Sequence, residues 1–237
     1  MAIKAVLFDL DGTLLPMQDQ NRFIKLYFGS LTEYMAAYGY DGDEFMAAMW
    51  HSVMSMMKND GADTNERVFW REFIKIYGRR GAADRGVIDD FYKNRFVATK
   101  VACGYTERAK ETVELVKLLG LRAVLATNPV FPRIATEARI SWAGLDREDF
   151  ELITTYENSS YSKPNEDYYK EILAKLGLTP EECVMVGNDT RDDMSAEALG
   201  MRVFLLTDCL INEAGADISK YPHGDFSDLA EYLRALN

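Results

Sequence analysis

The stretch Asp9-Leu10-Asp11-Gly12-Thr13 follows directly on the apolar run Ala5-Val6-Leu7-Phe8, and this pair of segments decides the fold. Short apolar runs that end in polar residues are typical of strands buried in a parallel sheet. Two further runs have the same form, at 123–126 and at 183–186. In an open α/β sheet, ligands bind just beyond the carboxyl ends of such strands. The sequence therefore predicts one pocket at that edge, lined by the polar residues that follow the runs.

Size and charge limit the kind of partner. The chain has 237 residues and a formal charge of −11, from 27 Lys and Arg against 38 Asp and Glu. So acidic a chain repels polyanions, and we expect neither nucleic acid nor an anionic membrane as its partner. A small phosphorylated metabolite remains compatible, because a bound cation and a lysine dominate the field locally. The pattern leaves the oligomeric state open.

Targeting signals and metal-binding histidine or cysteine patterns are missing from the sequence. The first residues lack a signal-peptide pattern, and no apolar run approaches the roughly 20 residues that cross a bilayer. The three cysteines show no CxxC spacing, and His51 and His223 have no metal-ligand spacing. We therefore expect a cytoplasmic protein with reduced thiols and without a zinc site or a Ser-His-Asp triad.

Helical spacing dominates the segment after the first strand. Apolar residues recur with a helical period in four stretches, and no strand pattern separates them: 23–38, 46–57, 69–77 and 88–96. We predict a small helical bundle inserted into an α/β fold, with Thr64 as the N-cap of its third helix and Gly78 as the end of that helix. Helices and strands alternate after Cys103. The predicted catalytic core is therefore 1–15 with 101–237, and the predicted helical cap domain is 16–100.

Asp9 and Asp11 are the first candidates for chemistry. They lie two residues apart at a strand end, so an extended backbone points both side chains to one side. Two close carboxylates repel each other unless a cation lies between them or one takes a proton. One of them can then act as a nucleophile and the other as a general acid or base. The alternative is a strand that simply ends in an Asp-Gly turn at Gly12.

Asp189 follows another predicted strand and offers a third oxygen ligand. Magnesium prefers oxygen and uses one or two carboxylates together with water and substrate phosphate. Asp192 and Asp193 are either ligands or acids favoured by the dipole at a helix N-terminus. We favour Asp193 as a residue that supports the metal site without binding the metal directly.

Thr127, Asn128 and Lys163 are candidates for binding phosphate. Taken alone, Thr-Asn-Pro is typical of a strand end followed by a turn, and most lysines are solvated. However, they occur in the same series of polar clusters as the carboxylates, which favours a role in binding phosphate. A phosphoryl group that is being transferred needs hydrogen-bond donors and a cation on its oxygens. The hydroxyl, the amide and the ammonium group would supply them.

The four polar clusters, in this order, resemble the motifs of the haloacid dehalogenase (HAD) superfamily across nearly the whole chain. The first motif, Asp-x-Asp-Gly-Thr, is residues 9–13, and the second is Thr127. The third is Lys163-Pro164, and the fourth is Asp189 with Asp193. The helical insert between the first two motifs is similar to the C1-type cap of the phosphoglycolate-phosphatase-like branch.

The resemblance implies a Rossmann-like parallel sheet with strand order 5-4-1-2-3 and a mobile helical cap. It also implies that Asp9 attacks phosphorus to form an aspartyl-phosphate, while Asp11 acts as the general acid and base. Mg²⁺ would be held by the Asp9 carboxylate, the Asp11 backbone carbonyl and Asp189. Thr127 and Lys163 would bind the phosphate. The expected activity is hydrolysis of a small phosphomonoester.

Several alternatives stay open at this point. Dehalogenases of the superfamily lack the second carboxylate of the first motif, so Asp11 counts against cleavage of a carbon–halogen bond. Phosphonatases use a cap lysine, and Lys25 and Lys58 lie in the predicted cap. Sugar phosphomutases share all four motifs, and a non-catalytic phosphate-binding module on the same fold is a further alternative. Arg22 and Lys25 on the first helix, or methionines of the second, are candidates for selecting the substrate, although the methionines are best explained as bundle core.

Overall fold

A parallel β-sheet forms the centre of the molecule in a computed structural model that describes residues 2–236. Its strands are β1 (Ala5–Phe8), β2 (Arg122–Leu125), β3 (Leu152–Ile153), β4 (Cys183–Gly187), β5 (Arg202–Leu206) and β6 (His223–Gly224). Their order is β3-β2-β1-β4-β5-β6. The α/β class and the predicted order are confirmed for β1 to β5. β6 adds a sixth strand at the outer edge, which the predicted five-strand order does not include. The predicted core begins at residue 1 and ends at residue 237, and these two residues lie outside the described range.

Strand β1 lies in the middle of the sheet and pairs in parallel with β2 and β4. Phe8, its last residue, lies opposite Leu125 and Val186 in the two neighbouring strands. All four residues of β1 are buried, as expected for a strand covered on both faces. Because the three strands end in register, the polar residues that follow them begin at the same edge of the sheet.

Four α-helices lie between β1 and β2, which confirms the predicted helical insertion. They are α1 (Gln20–Ala36), α2 (Gly42–Met57), α3 (Asn65–Ala83) and α4 (Arg85–Asn94). Thr64 caps α3 as predicted, because its side chain accepts a hydrogen bond from Arg67 N. The end predicted at Gly78 is a kink instead. Gly78 has φ 59°, and the chain returns to helix after it as far as Ala83.

The remaining α-helices cover the sheet: α5 (Glu107–Leu118), α6 (Arg133–Trp142), α7 (Glu166–Leu176) and α8 (Phe226–Ala235). The segment after β4 contains a 3₁₀ helix, Met194–Leu199, which ends at Gly200 in the left-handed conformation. Helix α6 was not predicted, because two prolines precede it and a charged residue interrupts its apolar face. Within residues 2–236, no helix has both the length and the apolar character needed to span a membrane.

The two faces of the sheet belong to different apolar clusters. Alternate side chains of β1 point to opposite faces, so Val6 and Phe8 join one cluster and Ala5 and Leu7 the other. The cluster that contains Phe8 continues without a break into the four inserted helices, where it includes Phe23. The insertion is therefore packed directly onto the sheet through a shared core.

The start of α3 is also hydrogen-bonded to loops beside the sheet. Asn65 N donates to Ser159 O at 2.8 Å, and its side-chain Nδ2 donates to Pro129 O at 3.1 Å. Glu66 N donates to Tyr156 O at 2.7 Å. Asn65 is fully buried, so these bonds form in a water-poor setting where polar groups need partners. They hold the insertion close to the carboxyl edge of the strands.

Candidate active site

A cavity of about 190 Å³ opens at the carboxyl edge of the sheet. Its lining includes every site residue named from the sequence: Asp9, Asp11, Thr127, Asn128, Lys163, Asp189 and Asp193. These residues come from four separate parts of the chain, and the parallel register brings them to one place. The predicted pocket is therefore present, with all of its predicted residues.

Lys163 is the central charge of this cavity. Its Nζ lies 2.9 Å from Asp9 Oδ1 and 2.6 Å from Asp193 Oδ1, and the residue is only 1% exposed. Burial disfavours the charged amine, but the carboxylates of Asp193 and Asp9 together hold the pKa of Lys163 well above its usual value. The ammonium group therefore keeps its proton at neutral pH.

Asp193 connects this lysine to the segment that follows β4. One carboxylate oxygen contacts Lys163, and the other accepts a hydrogen bond from Asp189 N at 2.9 Å. A Cβ at Gly187 would lie 2.1 Å from the Asp193 side chain, so only glycine leaves room for this close approach. Burial raises the pKa of the Asp193 carboxyl, and the ammonium group of Lys163 opposes that rise. Asp193 thus orients both Lys163 and the backbone that carries Asp189.

The turn after Asp11 packs against Asn188, a residue of the fourth polar cluster to which the sequence analysis assigned no role. Thr13 Oγ1 donates to Asn188 Oδ1 at 3.0 Å and lies 3.4 Å from Asp9 Oδ2. Asn188 Nδ2 donates in turn to Cys209 O at 2.6 Å. Gly12 has φ 88°, and a Cβ there would lie 2.3 Å from Asn188 Nδ2. The signal for Asn188 was its position directly before Asp189, at the end of a buried strand.

Arg139 of α6 is a second residue that the sequence analysis missed. It is 1% exposed, and its Nη1 forms an ion pair with Asp11 Oδ2. Its Nε donates to Ala135 O at 3.3 Å, and its guanidinium group lies 4.3 Å from the centre of the Phe131 ring. The signal for it was an arginine on the same helical face as Ala135 and Trp142. A charge in that position requires a buried partner.

Asp11 is held by Arg139 through one oxygen only. Burial raises the pKa of Asp11, and the neighbouring Arg139 opposes that rise. Its other oxygen, Oδ1, is buried and has no hydrogen-bond partner among the described residues. A buried oxygen without a partner is unfavourable unless a proton, a water or a ligand satisfies it.

Thr127 and Asn128 follow β2, line the cavity and are held by hydrogen bonds to their surroundings. Thr127 O accepts hydrogen bonds from Thr154 Oγ1 at 2.7 Å and from Tyr168 OH at 2.9 Å. Asn128 Nδ2 lies 3.4 Å from Asp192 Oδ2, while its Oδ1 is buried without a partner in the part of the chain described. Thr127 O is thus held by two hydrogen bonds, while Asn128 keeps the second N–H of its Nδ2 as a donor for a ligand.

The oxygen donors of the cavity fit magnesium. Asp9 and Asp189, the two carboxylates assigned to the metal by resemblance, both line the cavity. Within residues 2–236, no group of three or more His, Cys, Asp or Glu side chains is arranged to hold a metal by itself. Magnesium retains several waters and takes substrate phosphate as a ligand, so two carboxylates and a backbone carbonyl suit it.

The inserted helices supply a different kind of lining. Gln20, Phe23 and Ile24 of α1 face the cavity, and Phe131 lies beside them. Within the described residues, Arg22 and Lys25 are not part of the lining, and neither are the methionines of α2. The suggestion that these residues select the substrate is therefore not supported by their placement.

Comparisons with known proteins identify the family of this chain. A family model described as haloacid dehalogenase-like hydrolase matches residues 3–200. A ribulose-1,5-bisphosphate 5-phosphatase from Halopiger xanaduensis is 28% identical over 208 residues, which cover 85% of this chain and 83% of the relative. The pyrophosphatase PpaX from Bacillus pumilus is 23% identical over 200 residues, covering 84% and 81% of the two chains.

A solved structure supports the same fold. The crystal structure of a HAD phosphatase from Thermococcus onnurineus covers 98% of both chains with a TM-score of 0.59, at 20% sequence identity. The fold and the family model, which spans most of the sequence, lead to one assignment. The chain belongs to the family of haloacid dehalogenase-like hydrolases.

Proposed function

We propose that this phosphohydrolase is a magnesium-dependent phosphatase that cleaves a small phosphomonoester through an aspartyl-phosphate on Asp9. One observation carries the proposal: Lys163 Nζ lies 2.9 Å from Asp9 Oδ1 inside a cavity that Asp11 and Asp189 also line. A buried ammonium group beside a carboxylate lowers the repulsion between that carboxylate and an incoming phosphate. The arrangement thus allows a negatively charged nucleophile to approach a negatively charged substrate.

The proposed reaction has two steps. In the first, an oxygen of Asp9 bonds to phosphorus while the bond to the leaving alkoxide breaks and Asp11 donates a proton to that alkoxide. In the second, Asp11 takes a proton from water, and the water oxygen displaces Asp9 from phosphorus to release phosphate. We assign the proton to Oδ1 of Asp11, because Arg139 occupies Oδ2 and Oδ1 has no partner among the described residues.

The other site residues bind and orient the phosphoryl group. Lys163, Thr127 and Asn128 are proposed to donate to its oxygens, and Asp193 is proposed to hold Lys163 in place. Magnesium, held by the Asp9 carboxylate, the Asp11 backbone carbonyl and Asp189, would neutralise charge on the phosphoryl oxygens. Residues 16–100 are proposed to act as a cap that excludes bulk water during transfer, a role typical of lids.

The names of the relatives support a small phosphorylated metabolite as the substrate class. They are a bisphosphate phosphatase and a pyrophosphatase, and both act by name on small phosphate compounds. We further propose a cytoplasmic location, which suits the three free cysteines, Cys103, Cys183 and Cys209.

The test is release of phosphate from 4-nitrophenyl phosphate with and without Mg²⁺. Asp9→Asn is expected to abolish both turnover and aspartyl-phosphate formation, and Asp11→Asn to slow turnover by roughly 10²–10⁴. Asp43→Asn, on the exposed surface of α2, is the matched control and should retain the wild-type rate. EDTA should silence the enzyme, and added Mg²⁺ should restore it.

Three outcomes would contradict the proposal. Substantial turnover by Asp9→Asn would remove Asp9 as the nucleophile. Full activity in EDTA would remove the metal. Transfer of the phosphoryl group to a second hydroxyl of a sugar phosphate, without release of phosphate, would identify a phosphomutase instead.

A further inference from the structure

The cavity has two walls with opposite character. The wall formed by the sheet edge carries aspartates and Lys163, whereas the wall formed by α1 and its surroundings carries an amide and apolar side chains. The members of this second wall, which we call the apolar wall, are Met17, Gln20, Phe23, Ile24 and Phe131. Ile211 also lines the cavity, but it lies on the sheet side, where its N donates to Asn188 O at 2.8 Å. A bound phosphoryl group occupies the first wall, so the rest of the substrate has to contact the second.

Positive charge in the cavity is confined to one residue. Among the described lining residues there are five aspartates and a single cation, Lys163. That lysine is already paired with Asp9 and Asp193. Arg139 is buried against Asp11 and does not line the cavity. No lining side chain within residues 2–236 is therefore left to neutralise a second anionic group.

The cost of an unpaired charge decides which substrates fit. A second phosphate or a carboxylate held against the apolar wall would lose water without gaining a partner, and the nearby aspartates would repel it. An alkyl or aryl group in the same place gives up no hydrogen bonds to water, and its transfer out of water lowers the free energy of binding. Gln20 can offer one hydrogen bond to a hydroxyl or ether oxygen.

We infer that the substrate carries an uncharged and largely apolar group beyond its phosphate, and that the apolar wall discriminates against a second phosphate or a carboxylate there. The inference rests on the proposed phosphatase function and specifies its substrate class. Phe23 is buried in the shared core while Ile24 is 39% exposed, so Ile24 is the position where the wall can be changed without disturbing the core.

The first experiment uses three phosphate esters with the same four-carbon chain and different far ends: butyl phosphate, 4-(phosphonooxy)butanoate and butane-1,4-diyl bisphosphate, whose kcat/KM is halved to correct for its two equivalent phosphates. Release of phosphate is measured with Mg²⁺, and kcat/KM is compared. We expect kcat/KM to fall by about tenfold or more from the butyl ester to each charged ester, since a buried charge without a partner is strongly unfavourable. Equal or faster hydrolysis of either charged ester would overturn the inference.

The second experiment places a cation in the apolar wall. Ile24→Arg should raise kcat/KM for the bisphosphate relative to the butyl ester by about fivefold, the value of a partly exposed ion pair. Leu26→Arg is the control, because Leu26 lies two residues away on α1, is 37% exposed and does not line the cavity. The inference fails if Ile24→Arg and Leu26→Arg give the same ratio of kcat/KM for the bisphosphate to kcat/KM for the butyl ester.

Failure of the proposed function would look different. If 4-nitrophenyl phosphate and all three matched esters release no phosphate, the chain is not a phosphatase, and the inference falls with that function. If phosphate is released but the charged esters are preferred, the phosphatase function stands and only the substrate class is wrong.

Discussion

Two buried cations hold the two aspartates of the Asp9–Asp11 segment, and they do so in different ways. Lys163 contacts two carboxylates, those of Asp9 and Asp193, and lines the cavity. Arg139 contacts one carboxylate, that of Asp11, and lies behind the cavity lining. Both residues are 1% exposed, so each aspartate has a positive partner shielded from water.

The difference reflects the chemistry of the two side chains. A lysine ammonium is a compact charge that can contact several oxygens at once, including those of a ligand. An arginine guanidinium is a planar fork, and here Arg139 also uses Ala135 O and the face of Phe131. In the proposed reaction Lys163 would contact the ligand directly, whereas Arg139 would act by positioning Asp11.

The largest effect is expected from Lys163→Met. Removing the ammonium group leaves two buried carboxylates without a cation, and it removes a donor to the phosphoryl group. We expect kcat/KM for 4-nitrophenyl phosphate to fall by about 10³. Lys170→Met, which removes an exposed lysine from α7, should leave kcat/KM unchanged. A loss smaller than about tenfold would place Lys163 outside the phosphate site.

Arg139→Met should lower the stability of the protein. It leaves the largely buried Asp11 carboxylate without its partner, and breaking such a pair lowers the free energy of unfolding by about 3 kcal/mol. The control is Arg147→Met, because Arg147 forms a more exposed ion pair with Glu137 at 3.0 Å. That variant should lose less than about 1 kcal/mol. Urea unfolding followed by circular dichroism measures the free energy of unfolding of both variants. Equal losses in the two variants would show that the Arg139–Asp11 ion pair contributes no more than an exposed pair.

The double variant Asp11→Asn with Arg139→Met tests whether the two residues act as a pair. An amide in place of the carboxylate removes the unpaired charge, so adding Asp11→Asn to Arg139→Met should recover about 1–2 kcal/mol of the free energy of unfolding. If the two single losses simply add, the residues are not coupled, and Arg139 has a packing role only.

A comparison of two glycines tests the turn that joins the two aspartates to Asn188. Gly12 and Gly120 both have positive φ, but only at Gly12 would a Cβ collide with a neighbour, Asn188. Gly120→Ala should therefore cost about 1 kcal/mol of unfolding free energy from backbone strain alone. Gly12→Ala should cost about 2 kcal/mol and also lower phosphatase activity, because Asn188 has to move. Equal costs would show that the contact with Asn188 is unimportant.

Local patterns in the sequence were sufficient for the strands that carry the site. β1, β2 and β4 are continuous apolar runs that end in polar residues, and such runs report burial on both faces without any knowledge of their neighbours. The cap of α3 at Thr64 and the four helical stretches are likewise local, since they depend on capping chemistry and on apolar spacing. The sequence by itself thus determined the sheet core, the helical insertion and the residues that meet at the sheet edge.

Only the tertiary structure decided which partner each charge finds. Arg139 lies 128 residues after Asp11 in the sequence, and a buried arginine in a helix that was not predicted has no local signature of its partner. The two-residue strand β6 is too short to show a pattern, and it forms because β5 offers a free edge. Likewise, α1 carries both charged and apolar side chains, and only its packing onto the sheet decided that Ile24 faces the cavity while Arg22 and Lys25 do not. Long-range contacts depend on how whole elements pack, and this information is spread over the chain rather than contained in any one segment.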